Sequence, residues 1–191
     1  MDFRQGALPE LVVVDDFLTD PEGVRDLALG CLYHEDLRWF KGRRSTERHL
    51  WPYLREEFGR LLGTPVSRWT EYDANGVFQL TTADDELVYH SDNQDYAAAI
   101  YLNPHTESGT SFWRDPENRA RRGRDSVTMA SDPACYTDRD SWQFVETVAG
   151  VYNRLVIWDA SLIHSAESYS AFEASNELGR LVQLFFFDVT Y

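Results

Sequence analysis

Apolar positions recur at helical spacing only in the first third of this chain. Asp20 can cap and Pro21 can start a helix, and Val24, Leu27, Ala28, Cys31 and Leu32 then follow an i, i+3, i+4, i+7, i+8 stripe. A second helix is predicted from Pro52, with Leu54, Phe58, Leu61 and Leu62 apolar and Gly63 as its stop. Ahead of both, Leu11–Val14 reads as a short strand. From about Thr70 the pattern changes. Gly76–Thr82, Glu86–His90, Tyr96–Leu102, Thr110–Arg114, Trp142–Val148, Arg154–Asp159 and Gly179–Val189 are short, β-branched or aromatic, and separated by turn residues. A helical start followed by many strands predicts an α+β protein whose sheets close as a sandwich or barrel. Pro116–Asp140 is the one long irregular segment, rich in Arg, Asp, Ser and Gly, and reads as a lid, a binding loop or a disordered stretch. No linker divides the chain. We therefore expect a single domain over 1–191, with helical support over about 1–69 and a β core over about 70–191.

Composition agrees with that reading. A chain of 191 residues, 43% hydrophobic and 14% aromatic, can bury a substantial core. The net charge of −14 argues against nucleic acid and anionic membranes as partners, because polyanions are repelled over most of such a surface. No apolar stretch approaches the length of a membrane span, and the first ten residues lack the pattern of a secretory signal. Cys31 and Cys135 lie far apart with no CxxC, which points to reduced thiols in a cytoplasmic protein. Of the 18 cations only Lys41 is lysine, a skew assigned to genome composition.

Three histidines are followed two residues later by an acid: His34–Asp36, His90–Asp92 and His105–Glu107. In so acidic a chain the tripeptide is a weak signal, and context must choose. His34 and Asp36 fall near the end of the first predicted helix, where residues two apart diverge by about 200° and cannot easily share an ion. His105 and Glu107 sit in Asn103-Pro104-His105-Thr106-Glu107-Ser108-Gly109, which is turn chemistry. His90 and Asp92 instead close a predicted strand, and on extended chain residues i and i+2 project to one face. His164, just beyond the strand 154–159, is well placed as a third ligand. Two histidines and a carboxylate on a β scaffold form the facial triad of non-haem Fe(II) oxygenases and leave coordination positions open. Arg180 opens the otherwise apolar last strand; its planar guanidinium would bind a carboxylate bidentately, or pair with one of the many acids.

His90-Ser91-Asp92, Ala99-Ile100-Tyr101-Leu102-Asn103, Gly109-Thr110-Ser111-Phe112, Asn153–Asp159 with His164, and Arg180 occur in the order seen in 2-oxoglutarate/Fe(II)-dependent dioxygenases. Over roughly Thr70–Tyr191 the chain resembles the prolyl-hydroxylase-like branch of that superfamily, and in particular its small bacterial members. The resemblance implies a double-stranded β-helix, a jelly-roll or cupin-like barrel with N-terminal supporting helices. It implies that His90, Asp92 and His164 bind Fe(II), that Arg180 pairs with the distal carboxylate of 2-oxoglutarate, and that the Tyr101 hydroxyl supports the same carboxylate. O2 is the remaining cosubstrate. Two departures stand out: the His164–Arg180 interval is longer than usual in the family, and 116–140 is expanded and has no family role.

The activity so implied is oxidation of an unactivated C–H, and the carboxylate at Asp92 favours hydroxylation over halogenation, with desaturation or ring formation left open. The expected substrate is an amino-acid-derived small molecule or a peptide residue. Trp113, Arg114 and Trp158 are weak candidates for its lining, and the Arg-rich runs Arg38–Arg48 and Arg114–Arg124 are either solvated faces or grips for a substrate acid. Two other classes stay open: a catalytically silent jelly-roll that binds metal or ligand, and a cupin-type metal-dependent hydrolase or isomerase, which would have no need of Arg180. The sequence does not indicate an oligomeric state.

Overall fold

The computed structural model describes residues 8–35, 41–105, 108–172 and 179–191. Eleven strands occur among them: β1 (Leu11–Val14), β2 (Tyr33–His34), β3 (Arg43–Ser45), β4 (Val66–Ser67), β5 (Phe78–Thr81), β6 (Tyr96–Tyr101), β7 (Thr110–Arg114), β8 (Gln143–Val148), β9 (Leu155–Asp159), β10 (His164–Ala166) and β11 (Arg180–Val189). They form an eight-stranded sheet in the order β1-β9-β6-β11-β5-β3-β2, with β4 also on β11, and a three-stranded sheet β10-β7-β8. Every pairing is antiparallel.

Two helices cover the outer face of the large sheet. Helix α1 (Pro21–Gly30) begins where Asp20 accepts from the Gly23 amide, and α2 (Pro52–Leu62) stops at Gly63, whose φ of 74° is left-handed. Leu54, Phe58 and Leu62 of α2 pack against Phe78, Leu80, Ala98, Ile100, Phe185 and Phe187. Strand β6 is buried on both sides and splits by parity. Its even positions join this outer core, while Ala97, Ala99 and Tyr101 point between the two sheets with Phe112, Val156, Trp158 and Val182. Alanine at 97 and 99 keeps the space between the sheets from filling.

Several expectations are corrected here. Glu86–His90 is not a ladder strand; it is chain joined to the rest by a bridge from His90 to His164 and by the Tyr89 amide donating to Tyr136 O at 2.8 Å. His34 does not end a helix. It lies in β2 opposite Arg44, because α1 stops at Gly30 and leaves Leu32 exposed beyond it. Leu27 of the proposed stripe is exposed as well, so the buried face of α1 is narrower than the spacing implies. The region before residue 70 is not only helical support, since β1, β2 and β3 extend the large sheet itself. Pro116–Asp140 is a chain of short turns, including 3-10 turns and the five-residue α3 (Val127–Ser131), rather than an irregular loop. The buried carboxylate of Asp115 fixes its first half, accepting from the Glu117 and Thr128 amides and from the hydroxyls of Ser126 and Thr128. Cys31 and Cys135 are both free thiols, and no helix among the described residues is long and apolar enough to cross a membrane.

Candidate metal centre

His90 and His164 meet as an antiparallel backbone pair. The His90 amide donates to the His164 carbonyl at 3.0 Å and the reverse bond is 2.8 Å. Residues directly opposite in such a pair project to one face, which brings the imidazole centroids to 4.4 Å. Two residues on, the Asp92 amide donates to Ala160 O at 2.8 Å and pins the turn against the end of β9. The Asp92 carboxylate then lies 3.9 Å from His90 Nε2 and 3.5 Å from His164 Nε2. One ligand atom from each of the three side chains falls within 4.8 Å of the others.

The tautomers follow from the carbonyls behind the rings. His164 Nδ1 lies 2.8 Å from Leu162 O and His90 Nδ1 lies 3.1 Å from Val88 O. A carbonyl only accepts, so each Nδ1 donates to it and each Nε2 is the ring atom left facing Asp92. Burial, reinforced by the neighbouring His90, pushes the His164 pKa down to about 4 despite Asp92 and the Leu162 carbonyl, so this ring is neutral at physiological pH. Asp92 Oδ2 is buried and has no hydrogen-bond partner. Two imidazole nitrogens and an orphaned carboxylate oxygen converging on one point are a donor set that fits a divalent transition metal.

These groups line a cavity of about 630 Å³ between the sheets. Arg180 enters it from the start of β11 and is buried, with Nε and Nη2 donating to Ser108 O and Gly109 O at 3.4 and 3.3 Å. Those carbonyls come so near because position 109 is glycine; a Cβ there would run into the Val148 carbonyl. No carboxylate among the described residues forms an ion pair with Arg180. Its cation sits 5.4 Å from the Tyr101 ring centroid. Tyr101 itself is behind the wall, where its hydroxyl shares a 2.7 Å hydrogen bond with Thr110, a residue that does face the cavity.

Of the expected substrate-lining residues only Trp158 is on the wall, edge-on to His164 with centroids 5.2 Å apart. Trp113 and Arg114 are not. The Trp113 ring is buried in a third apolar cluster with Tyr89, Cys135 and Trp142, and reaches the cavity only by donating from Nε1 to Ser165 Oγ. Arg114 faces out and hydrogen-bonds Gln143. Parity explains Trp113, since Phe112 takes the inward direction on β7 and its neighbour faces the other way, whereas Arg114 lies at the end of the strand opposite Gln143. In the run 114–124, Arg121 and Arg122 are tied to Glu10, Glu146 and Asp159 beside a second, larger hollow of about 950 Å³. That hollow meets the cavity at Asp92 and Gln94. In the other run, Arg38 lies outside the described residues, whereas Arg44 faces the cavity alongside Gln79. His105 is exposed in a turn, and Asp36 and Glu107 lie outside the described residues. Gln79 and Tyr169 are wall residues that sequence reasoning missed. Gln79 was legible through its parity with Thr81 on the strand; Tyr169 follows β10 with no periodic signal at all.

Two solved structures of HygX from Streptomyces hygroscopicus share this fold. With nickel, 2-oxoglutarate and hygromycin B bound, HygX aligns at a TM-score of 0.59 and 13% identity, covering 96% of this chain and 84% of its own. With nickel and 2-oxoglutarate bound, the TM-score is 0.57 at 14% identity, over 95% and 84% of the two chains. No curated protein matches the sequence. Residues 5–187 match DUF6445, described as a family of unknown function, and with nearly its whole length matched the chain belongs to that family.

Proposed function

We propose that this chain is a non-haem Fe(II)/2-oxoglutarate-dependent oxygenase built on a double-stranded β-helix, and that it hydroxylates a C–H of an amino-acid-derived small molecule or peptide residue. One observation carries the reading. A two-histidine, one-carboxylate set with an orphaned oxygen shares a single cavity with a buried guanidinium that has no acid partner among the described residues. The likeness to a fold that holds nickel and 2-oxoglutarate in HygX supports it. The unpaired cysteines are in keeping with a reduced, cytoplasmic setting.

His90, Asp92 and His164 would hold the iron, with the Leu162 and Val88 carbonyls fixing the rings. Bound there, iron and 2-oxoglutarate supply oxidative decarboxylation to succinate coupled to oxidation of a substrate C–H by O2. Arg180 would take the distal carboxylate in a bidentate pair, with its cation held against the Tyr101 ring and Thr110 completing that end of the cavity. Trp158 and Phe186 close the walls and restrict water at the reacting carbon.

Anaerobic addition of Fe(II) and 2-oxoglutarate should give a weak visible charge-transfer band that is lost in His164→Ala. Absence of the band in the wild type overturns the assignment. Arg180→Ala should bind metal normally and lose 2-oxoglutarate affinity by about tenfold or more. A silent metal-binding jelly-roll would show metal uptake without cosubstrate consumption, and a cupin hydrolase would be indifferent to Arg180.

A further inference from the structure

Each of the three side chains in the metal trio follows a residue that the 116–140 segment holds. Tyr89, before His90, donates from its amide to Tyr136 O at 2.8 Å. Ile163, before His164, donates from its amide to Arg121 O at 2.7 Å. Ser91, before Asp92, sits against Gly123. A Cβ on that glycine would collide with Ser91 Oγ and come within 2.9 Å of Ser91 Cβ and 3.0 Å of Met129 Sδ. His90 and His164 are an antiparallel pair, and residues flanking such a pair project to the opposite face from it. Tyr89 and Ile163 do turn that way, into the buried cluster with Trp113, Cys135 and Trp142 against which Met129 packs. The segment thus supports the ligands from behind and leaves the cavity in front of them clear.

The turn that leads into His164 is gripped on two sides. On one, the Asp92 amide donates to Ala160 O and the Ala160 amide donates to Asp95 O at 3.1 Å. On the other, the Gly123 amide donates to Ser161 O at 2.9 Å, and Arg122 bridges Leu162. The Arg122 guanidinium also donates to Asp159 Oδ2 at 2.8 Å, while Asp159 Oδ1 accepts from the Ser161 amide and hydroxyl. Glycine at 123 is not demanded by the backbone, whose φ there is outside the left-handed region; it is demanded by Ser91. Resting on the metal reading above, we propose that Gly123 and Arg122 are positioning residues for the metal centre. Gly123, through Ser91, sets the Asp92 carboxylate against the two imidazoles, and Arg122, through Asp159, holds the turn before His164. Donors fixed in advance by such outer contacts bind a metal more tightly than donors that must be ordered on binding.

The test is titration of the metal-free protein with Co(II), read both as affinity and as the visible ligand-field bands that report the donor set. Gly123→Ala should bind Co(II) about tenfold or more weakly than the wild type, with altered bands. Ser91→Gly removes the atoms that the new methyl strikes, so the double variant should return to the affinity of Ser91→Gly alone. General loss of stability would not produce that coupling. Arg122→Gln keeps the backbone contacts and cuts the tie to Asp159; it should weaken Co(II) severalfold with its Tm near that of the wild type, and it carries the test if Gly123→Ala does not fold. The proposal is overturned if Gly123→Ala folds and binds Co(II) as the wild type does, if Ser91→Gly gives no rescue, or if Arg122→Gln leaves the affinity unchanged. A wild type with no affinity for Co(II) is a separate outcome, which sinks the metal centre itself.

Discussion

Asp115 has no part in the chemistry and yet ties down the first half of the 116–140 segment. Burial raises its pKa, but the bonds from Thr128, Ser126 and Glu117 outweigh burial and bring it down to about 2. A carboxyl depressed below its ordinary value of 3.8 contributes stability that is present above pH 4 and disappears as pH falls towards 2. Asp115→Asn should therefore cost about 1.5–3 kcal/mol at pH 7. Its deficit in Tm against the wild type should shrink steadily below pH 4, and a deficit independent of pH would show that the charge is immaterial. Individual residues were unevenly legible. His90, Asp92, His164 and Arg180 could be read because the i, i+2 rule and strand ends are local properties of the sequence. Trp113 and Arg114 could not, because alternation along β7 does not say by itself which face meets the cavity, and pairing with β8 and β10 settles that.

Strand β6 shows how an element can keep a site open. Its Tyr-Ala-Ala-Ala-Ile-Tyr sequence is fully buried, and the small residues on the inner face are what hold the two sheets apart over the cavity. Ala99→Leu should put a side chain into that space, with overpacking costing about 1–3 kcal/mol. The variant should fold with a lower Tm and lose 2-oxoglutarate or amino-acid binding before it loses metal. Unchanged ligand binding would place the ligands elsewhere. Most elements with strong periodicity were readable within a residue or two, including α1, α2, β6, β7, β9 and β11. Glu86–His90 was not, since an apolar run looks like a ladder strand whether or not a partner exists, and here its only bridge is at His90. The short strands β2, β3 and β4 have too few residues to show a period and are defined by distant partners.

For the molecule as a whole, the distribution of charge matters more than its sum. The net charge of −14 belongs to the whole chain, while the cavity wall carries Lys41, Arg44 and Arg180 against Glu86 and Asp92. A cavity more cationic than the chain as a whole favours the entry of small acids. Stability should be graded by position as well. Strands β6, β9 and β11 are central and buried on both faces, so native-state hydrogen exchange should be slowest there. Residues 116–140, held largely by turns and by Asp115, should exchange earlier; equal protection of both would mean a single cooperative unit.

The backbone rung between His90 and His164 has a further consequence. The spacing of the two imidazoles is set by chain alignment and not by the shapes of surrounding side chains. Such a centre behaves like a latch cut into the hinge itself. It forgives changes of size in nearby walls, but inserting or deleting one residue between Leu162 and His164, or between Val88 and His90, would swing a ligand to the opposite side and abolish it in a single step. Genetic drift can thus reshape what this cavity accepts far more freely than it can alter the lengths of the two short segments that meet at that rung.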